Sequence, residues 1–520
     1  MLPASHPILT CDAARRLEEM LFSGDEAKEW SAMQRAGRAV AAAVLRDFEE
    51  LGGFPADGRI LVLAGKGHNG GDALIATQAI LEKFPSAIAD VVFIFGERSL
   101  RPLAARAWQS GTGLLTRVRR VDMDQETHDT CYALCLDGVF GLQFRPPAEP
   151  RVAKLLARVN ALPIRLRAAV DLPSAGLFRA DFTYATGSVK SPALDLATAG
   201  RVRYLDLGFF EVERVAPSAL DRVLTSAVLA PLAALRAPQS DKRAYGHVFV
   251  VAGSRSYPGA ALMTVLAALR SGAGLVTAFV PESLVPAFAA RAPEAMWVGW
   301  PETPDGGLAL EGRHLLRARL DHASALVIGP GLGREAETLA LVADLVESAK
   351  VPLVLDADAL QSEIVRAGKA VRILTPHAGE FARIKDAVPT GATLVLKGPV
   401  TRIESRAGLQ PAFGRAKGGL KSRPAAEAIV YHSFFGGPVL ARGGSGDVLA
   451  GLIGGLLAQI VAERPSAPRG GESASATLLA AARGVVWHGL AADALARAHG
   501  QTAVATTQLL DFLPAVLRDS

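Results

Sequence analysis

The chain has 520 residues, half of them apolar, and a formal net charge of +5. That length predicts two or three domains with room for large cores, and the mild basic balance, with no aromatic residues threaded through the Arg117–Arg120 cluster, gives no sign of a nucleic-acid groove. No uncharged apolar run of about 18 residues and no basic-then-apolar leader stands out, which argues against a membrane span or a signal peptide; three cysteines fit a reducing cytoplasm.

Trp30, Met33, Ala36, Val40, Val44 and Leu45 recur at helical spacing and predict a helix over 30–50. Arg59–Ala64 reads as a buried parallel strand ending at glycine, with a helix over Ala73–Phe84 behind it. Val91–Phe95, Tyr132–Leu136 and Arg167–Val170 are further strands, so the first part is expected to be a doubly wound α/β domain. Cys131 and Cys135 fall in the strand-like stretch Cys131–Asp137 and are expected to be small buried hydrophobes. The pattern loosens between about Arg214 and Ala244, where Ala-Pro and Pro-Leu dipeptides cluster. A boundary near residue 225 is expected there, giving domains 1–225 and 226–520. A second α/β series starts at His247–Ala252, with strands at Ala325–Ile328, Pro352–Leu355, Val371–Leu374 and Thr393–Leu396. The Gly-, Ala- and Arg/Lys-rich stretch from Ser405 to Phe435 reads as an irregular excursion.

Chemistry gathers at the strand ends. Gly65-Lys-Gly-His-Asn-Gly-Gly-Asp72 follows a strand and opens a helix, where glycines let the backbone approach a dinucleotide phosphate; it is not a P-loop. Asp137 and the pair Asp171 and Ser174 follow two more strands. In an open α/β sheet these ends face one crevice, so Asn69, Asp137, Asp171 and Ser174 could meet there. Their oxygens suit a hard monovalent cation, with one carboxylate left for proton transfer. Each residue taken singly also suits a helix cap.

In the second series the strand ends carry Gly253–Ala260, Gly329-Pro-Gly-Leu-Gly333, Asp356-Ala-Asp358, Thr375–Glu380 and Lys397–Thr401. The last of these puts a basic residue where nucleotide phosphates would lie. Alone, His377 suits a structural role. The set closes with Arg442-Gly-Gly-Ser-Gly-Asp447 before an apolar run to Ile460. Free N–H groups and the positive end of a helix dipole make that turn an anion site. Asp447 has the wrong charge to bind phosphate and is better placed to take a proton from a hydroxyl attacking it.

The second set, from about Lys242 to the C-terminus, resembles the ribokinase-like superfamily. Within it, Tyr257–Ala260, Gly329–Gly333, Leu374–Glu380, Lys397-Gly398 with Thr401, and Gly443–Asp447 are similar to the ADP/ATP-dependent NAD(P)H-hydrate dehydratases. The first set, on His68–Asp72, Asp137 with Phe140-Gly141, and Val170–Ser174, resembles the NAD(P)H-hydrate epimerases. Together they resemble the bifunctional NAD(P)H-hydrate repair enzymes, over nearly the whole chain.

The resemblance implies a Rossmann-like epimerase domain and a ribokinase-like dehydratase domain. One would interconvert the R and S forms of NADHX and NADPHX, hydroxylated at C6 of the nicotinamide. The other would phosphorylate the S-hydroxyl with ADP or ATP and eliminate phosphate. It further implies hydrate binding by His68, Asn69, Gly70, Gly71, Asp72, Gly141, Leu142, Gln143 and Asp171, with proton transfer by Asp171 and K+ on Asn69, Asp137 and Ser174. In the dehydratase, Ala260, Gly331, Gly333, His377 and Asp447 would surround the hydrate. Lys397, Gly398, Pro399, Val400, Thr401 and Gly446 would hold the adenine nucleotide, with Mg2+ on its phosphates. A cytoplasmic homo-oligomer without nucleic-acid or membrane partners is expected.

The sequence departs from the family at Gly65–Asn69, at Leu142-Gln143, at Ala175 and at Gly437–Arg442, where Arg442 adds a charge beside the anion site. The competing expectation is a small-alcohol, vitamin-precursor kinase carrying a non-catalytic interaction domain.

Overall fold

A computed structural model describes residues 2–122, 131–211, 220–405, 429–463 and 471–518. The chain divides into two compact units. One comprises His6–Val223 with Ala496–Ala503, the other Met1–Ser5, Leu224–Leu495 and Val504–Ser520.

In the first unit α1 (Cys11–Phe22) and α2 (Glu26–Phe48) precede a βα series. It runs β1 (Arg59–Ala64), α3 (His68–Lys83), β2 (Ile88–Phe93), α4 (Pro102–Ser110), β3 (Val118–Arg120), β4 (Tyr132–Gly138), α5 (Pro150–Ala161), β5 (Ile164–Val170), β6 (Phe182–Thr186) and β7 (Arg201–Leu205). The strands pair in the order β3-β2-β1-β4-β5-β6-β7, every pair parallel. Both faces are covered, as a parallel sheet requires. Ile60, Val62 and Ala64 point toward Val40, Val44 and Ile80, while Leu61 and Leu63 pack with Leu156 and Val159 of α5.

The second unit repeats the plan with β8 (His247–Val251), α6 (Pro258–Arg270), β9 (Leu275–Pro281), β10 (Met296–Trp300), β11 (Ala325–Ile328), α7 (Ala336–Ser348), β12 (Leu353–Leu355), β13 (Arg372–Leu374), α8 (Ala378–Ile384), β14 (Thr393–Leu396), β15 (Thr401–Ser405), β16 (Val430–Ser433), α9 (Ser445–Ala462) and α10 (Gly471–His499). The order is β10-β9-β8-β11-β12-β13-β14-β15-β16, parallel except for the two pairings of β15. Val248, Val250 and Val327 pack with α6 and α9, and Phe249, Val251 and Leu326 with α7. The architecture is α/β, as the sequence predicts.

Several local expectations are corrected. The helix expected from Ala73 starts at His68. Gly70 and Gly71, poor helix formers, stand in its first turn because side chains do not fit. A Cβ at Gly70 would lie 2.3 Å from the Gly65 carbonyl oxygen, and one at Gly71 2.6 Å from the Met33 sulfur. The expected excursion is bounded by strands, since Ser405 ends β15 and Val430–Ser433 pairs with it; 406–428 lie outside the described residues. Cys135 is buried in β4, but Cys131 is exposed.

One described helix, α9, is after all long and apolar enough to cross a membrane. Its residues Val448–Ile460 are instead buried within the unit. Glycines set its seat: Cβ atoms at Gly451 and Gly454 would lie 2.1 Å from the Thr264 carbonyl oxygen of α6 and from Val327 of β11. The Arg117–Arg120 cluster is tied into the fold. Arg117 donates to the carbonyls of Leu81 and Phe84, at the end of α3, and Arg119 pairs with buried Asp90 at 2.8 Å.

Candidate active sites

In the first unit the carboxyl ends of β1, β4 and β5 open on a cavity of about 570 Å³. His68, Asn69, Gly70, Asp72, Gly141, Leu142, Gln143 and Asp171 all line it. Gly71 does not; it backs onto Met33. The Leu142 side chain packs beside Leu9, Leu17 and Phe209, and Gln143 Oε1 accepts from Arg101 at 3.0 Å. The departures in this loop therefore anchor it at two points.

A connected polar network lies at the strand ends. Asn69 Nδ2 donates to the carbonyls of Phe140 (3.1 Å) and Val170 (2.7 Å). The Phe140 N–H donates to Ser174 Oγ (3.0 Å), and Ser174 donates its hydroxyl (2.6 Å) and its N–H (2.8 Å) to Asp137. Burial pushes the fully buried Asp137 carboxyl up to about 6, against the pull of these hydrogen bonds. Among the described residues no three His, Cys, Asp or Glu side chains gather as a metal cluster. One carboxylate, one hydroxyl and one amide oxygen are a hard, singly charged donor set. They fit a monovalent cation rather than a transition metal.

Asp171 sits where β5 turns, at φ 68°. That left-handed conformation is uncommon for a side-chain-bearing residue and stores strain at a turn. It is over-determined by contacts. The Asp171 N–H donates to the Tyr184 carbonyl at 2.9 Å, and its Oδ1 accepts from Lys190 Nζ at 2.5 Å and from the Thr186 N–H at 3.3 Å. Lys190 is 1% exposed, so this is a buried, charge-assisted pair.

Of the further carboxyls that line this cavity, Asp72 and Glu18 have raised proton affinity. Burial, then Asp171 and Glu18, push Asp72 well above the usual carboxylate range, and its Oδ1 is buried without a hydrogen-bond partner. Burial pushes Glu18 up to about 7, with Lys190 opposing. Burial lowers His68. Lys190 and Glu18 were not singled out from the sequence. The only signal was a lysine ending an otherwise uncharged stretch, Phe182–Val189; Glu18 gave none, being one of several acids on an exposed-looking helix.

In the second unit the glycine turn before α9 adopts its conformation under steric demand. Gly444 has φ 89° and a Cβ there would lie 2.4 Å from Met263 of α6, which sets the two helix N-termini side by side. Asp447 stands in the first turn of α9. Burial, then the Asp356 charge, push it up to about 6 against the pull of Lys397. Lys397 Nζ lies 2.8 Å from Asp356 Oδ1 and 3.1 Å from where a Gly446 Cβ would be. Burial would lower that ammonium, but Asp356, with Glu380 and Asp447 adding, raises it.

His377 caps α8, its Nδ1 accepting from the Gly379 N–H at 3.0 Å while its own N–H donates to Glu380 at 2.8 Å. Its backbone also bridges to Lys397. The imidazole is 59% exposed, with Nε2 3.5 Å from Glu380 Oε1. Gly331 (φ 65°) presses on Tyr257 and Ala260, and the Gly333 N–H donates to Asp358 at 3.0 Å. Gly398 and Pro399 form the exposed turn between β14 and β15, running through Val400 to Thr401. Ala260 thus meets Gly331, and Lys397 meets His377 and Gly446, along the strand ends and two helix N-termini. Asp356 and Glu380, to which the sequence reading gave no role, hold the ammonium at its centre. Arg442 is turned away from the anion site: its Nε donates to the Val439 carbonyl at 2.9 Å and its guanidinium also reaches the Val504 carbonyl.

The two units define an α/β protein with a carboxyl-lined cavity in one and, in the other, a glycine turn and helix N-terminus that carry Asp447 near Lys397. Residues 248–515 match the model of the NAD(P)H-hydrate dehydratase family, and residues 30–195 that of the YjeF-related protein N-terminus. A bifunctional NAD(P)H-hydrate repair enzyme from Moorella thermoacetica is 32% identical, covering 94% of this chain and 92% of its own. Another from Gloeobacter violaceus is 35% identical, covering 97% of each chain. A solved ADP/ATP-dependent NAD(P)H-hydrate dehydratase from Bacillus subtilis, co-crystallised with ATP and Mg2+, is 26% identical over 55% of this chain and 93% of its own, with a TM-score of 0.41. The chain belongs to the family of bifunctional NAD(P)H-hydrate repair enzymes.

Proposed function

We propose that the protein epimerises R- and S-NAD(P)HX in its first unit and, in its second, dehydrates the S form to NAD(P)H at the expense of ADP or ATP. The observation that carries the second activity is Asp447. It is a carboxylate with raised proton affinity in the first turn of a helix whose N-terminal N–H groups face the same space. Asp447 takes the proton of the C6 hydroxyl as the oxygen attacks the terminal phosphorus, and the shortened nucleotide departs. The helix N-terminus and Lys397 offset the charge on the migrating phosphoryl. The ring nitrogen's lone pair then expels phosphate from C6, and loss of a proton from C5 restores the dihydropyridine. Ala260, Gly331, Gly333 and His377 position the nicotinamide end. Lys397–Thr401 and Gly446 hold the nucleotide, and Mg2+ would neutralise the charge of its phosphates.

In the first unit the loops at His68–Asp72 and Gly141–Gln143 hold the hydrate, and Asp171, anchored by Lys190, moves the proton. K+ on Asn69, Asp137 and Ser174 would supply a fixed positive charge beside the substrate's oxygens. A homo-oligomer in the cytoplasm completes the reading.

The test uses purified S- and R-hydrate. With ADP or ATP, S-hydrate should regain NADH absorbance and release phosphate, and R-hydrate should do so through the first unit. A stable phosphorylated product would favour a small-alcohol kinase. No recovery from S-hydrate with either nucleotide would overturn the reading.

A further inference from the structure

Epimerisation at C6 needs a proton delivered on one face of the ring and removed on the other. Resting on the epimerase reading above, we propose that Glu18 is a catalytic residue of that reaction, the acid–base partner of Asp171. Glu18 and Asp171 line the same cavity but come from different elements, α1 and the end of β5. The helix that carries Glu18 is held in place. Thr10 caps it at the Ala13 N–H (3.2 Å), Ala14 and Leu17 are buried against Leu9 and Phe209, and Asp12 is paired with Arg145 at 2.7 Å. The Glu18 carboxyl has no hydrogen-bond partner among the described residues, so it is not occupied in supporting the fold. Asp171 is the opposite case, tied to Lys190 and Thr186.

The charged groups around Glu18 are Glu19 on its own helix, Glu29 on α2, Asp72 on α3, and Asp171 and Lys190 beyond the end of β5; Arg15 also lines the cavity. Burial among mostly acidic neighbours favours the protonated carboxyl on Glu18, while Asp171 is paired to an ammonium. Two carboxyls whose surroundings differ in this way divide naturally into acid and base.

In one direction Glu18 gives its proton to the C6 hydroxyl. The C6–O bond breaks as the ring nitrogen's lone pair forms a C=N bond, and water leaves. A water on the other face adds to C6, its spare proton passes to Asp171, and the electron pair returns to nitrogen. The reverse reaction starts from protonated Asp171 and ends with the proton on Glu18. No oxidant or reductant is consumed, and solvent resets the two carboxyls between turnovers.

The experiment follows R/S interconversion by chromatography, without nucleotide and with the uncatalysed rate subtracted, from about pH 5 to about pH 9. Wild type should lose rate as pH rises through about 7, because the acid must be protonated. Glu18→Gln should lower kcat by about 10²-fold or more, leave KM within a few-fold, and remove that limb. Glu18→Asp should keep the limb at a shifted position. Thermal unfolding of each variant beside the parent reports that the first unit folds. A Glu18→Gln enzyme with the parent's kcat and pH profile, or one changed only in KM, overturns the proposal. A wild type that does not exceed the uncatalysed rate would instead overturn the epimerase reading itself.

Discussion

Replacing Asp447 by Asn removes one proton acceptor and almost no volume. A group titrating near 6 is about 97% ionised at pH 7.5 and about half ionised at pH 6. It is therefore available as a base at neutral pH, yet holds a proton more tightly than an ordinary carboxylate. A positioned general base contributes about 10²–10⁴-fold, or about 3–5 kcal/mol of barrier. Asp447→Asn should lower kcat for S-hydrate dehydration by that factor with KM little changed. The parent's rate should rise as pH rises through about 6, because the base must be deprotonated, and the variant should lose that limb. Stability moves the other way. Burial and Asp356 raise Asp447 above its unfolded value of 3.8, so the folded state is penalised increasingly as pH rises from about 4 past 6. The Asn variant escapes that penalty and should be at least as resistant to denaturant at pH 8. Absorbance recovery and a denaturant titration check both halves. A variant as fast as its parent, or one slow only because it unfolds, would refute the reasoning.

Lys190→Met should leave the Asp171 charge buried and unpaired, costing about 3–5 kcal/mol and, with it, R-hydrate turnover; thermal unfolding and chromatography read the two effects. Ser174→Ala removes one hydrogen bond to Asp137 and the acceptor for the Phe140 N–H. It should cost about 1–3 kcal/mol, raise Asp137 further and weaken any K+ dependence of epimerisation. Gly451→Ala drives a Cβ to 2.1 Å from the Thr264 carbonyl and should destabilise by about 1–3 kcal/mol or more. Gly259→Ala, with nothing within 4 Å of its Cβ position, should be neutral or stabilising by up to about 1 kcal/mol. The pair of melting temperatures separates a packing glycine from a conformational one.

Legibility followed burial. Strands buried on both faces, such as Arg59–Ala64 and His247–Val251, announce themselves as apolar runs, and the turns after them carry the glycines and acids that mark strand ends. The edge and antiparallel strands were not legible. Thr401–Ser405 reads Thr, Arg, Ile, Glu and Ser, with only Ile403 fully buried, so four of its five residues are polar. The two sites divide in the same way. Asp137 and Ser174 stand beside glycine or proline at or after strand ends, Asp171 stands two residues before Pro173, and Asp447 follows Gly446 at a helix start, so sequence context restricts their place. Lys190, Asp356 and Glu380 act through partners 19, 41 and 3 residues away, and only the fold creates the first two neighbourhoods. Glu18 is the limiting case. On a helical wheel it is one acid among Asp12, Glu18 and Glu19, and its proton affinity follows from how deeply the packing of Leu17 sets it in the cavity wall. A sequence fixes which elements can be built, but proton affinity belongs to the enclosure they form.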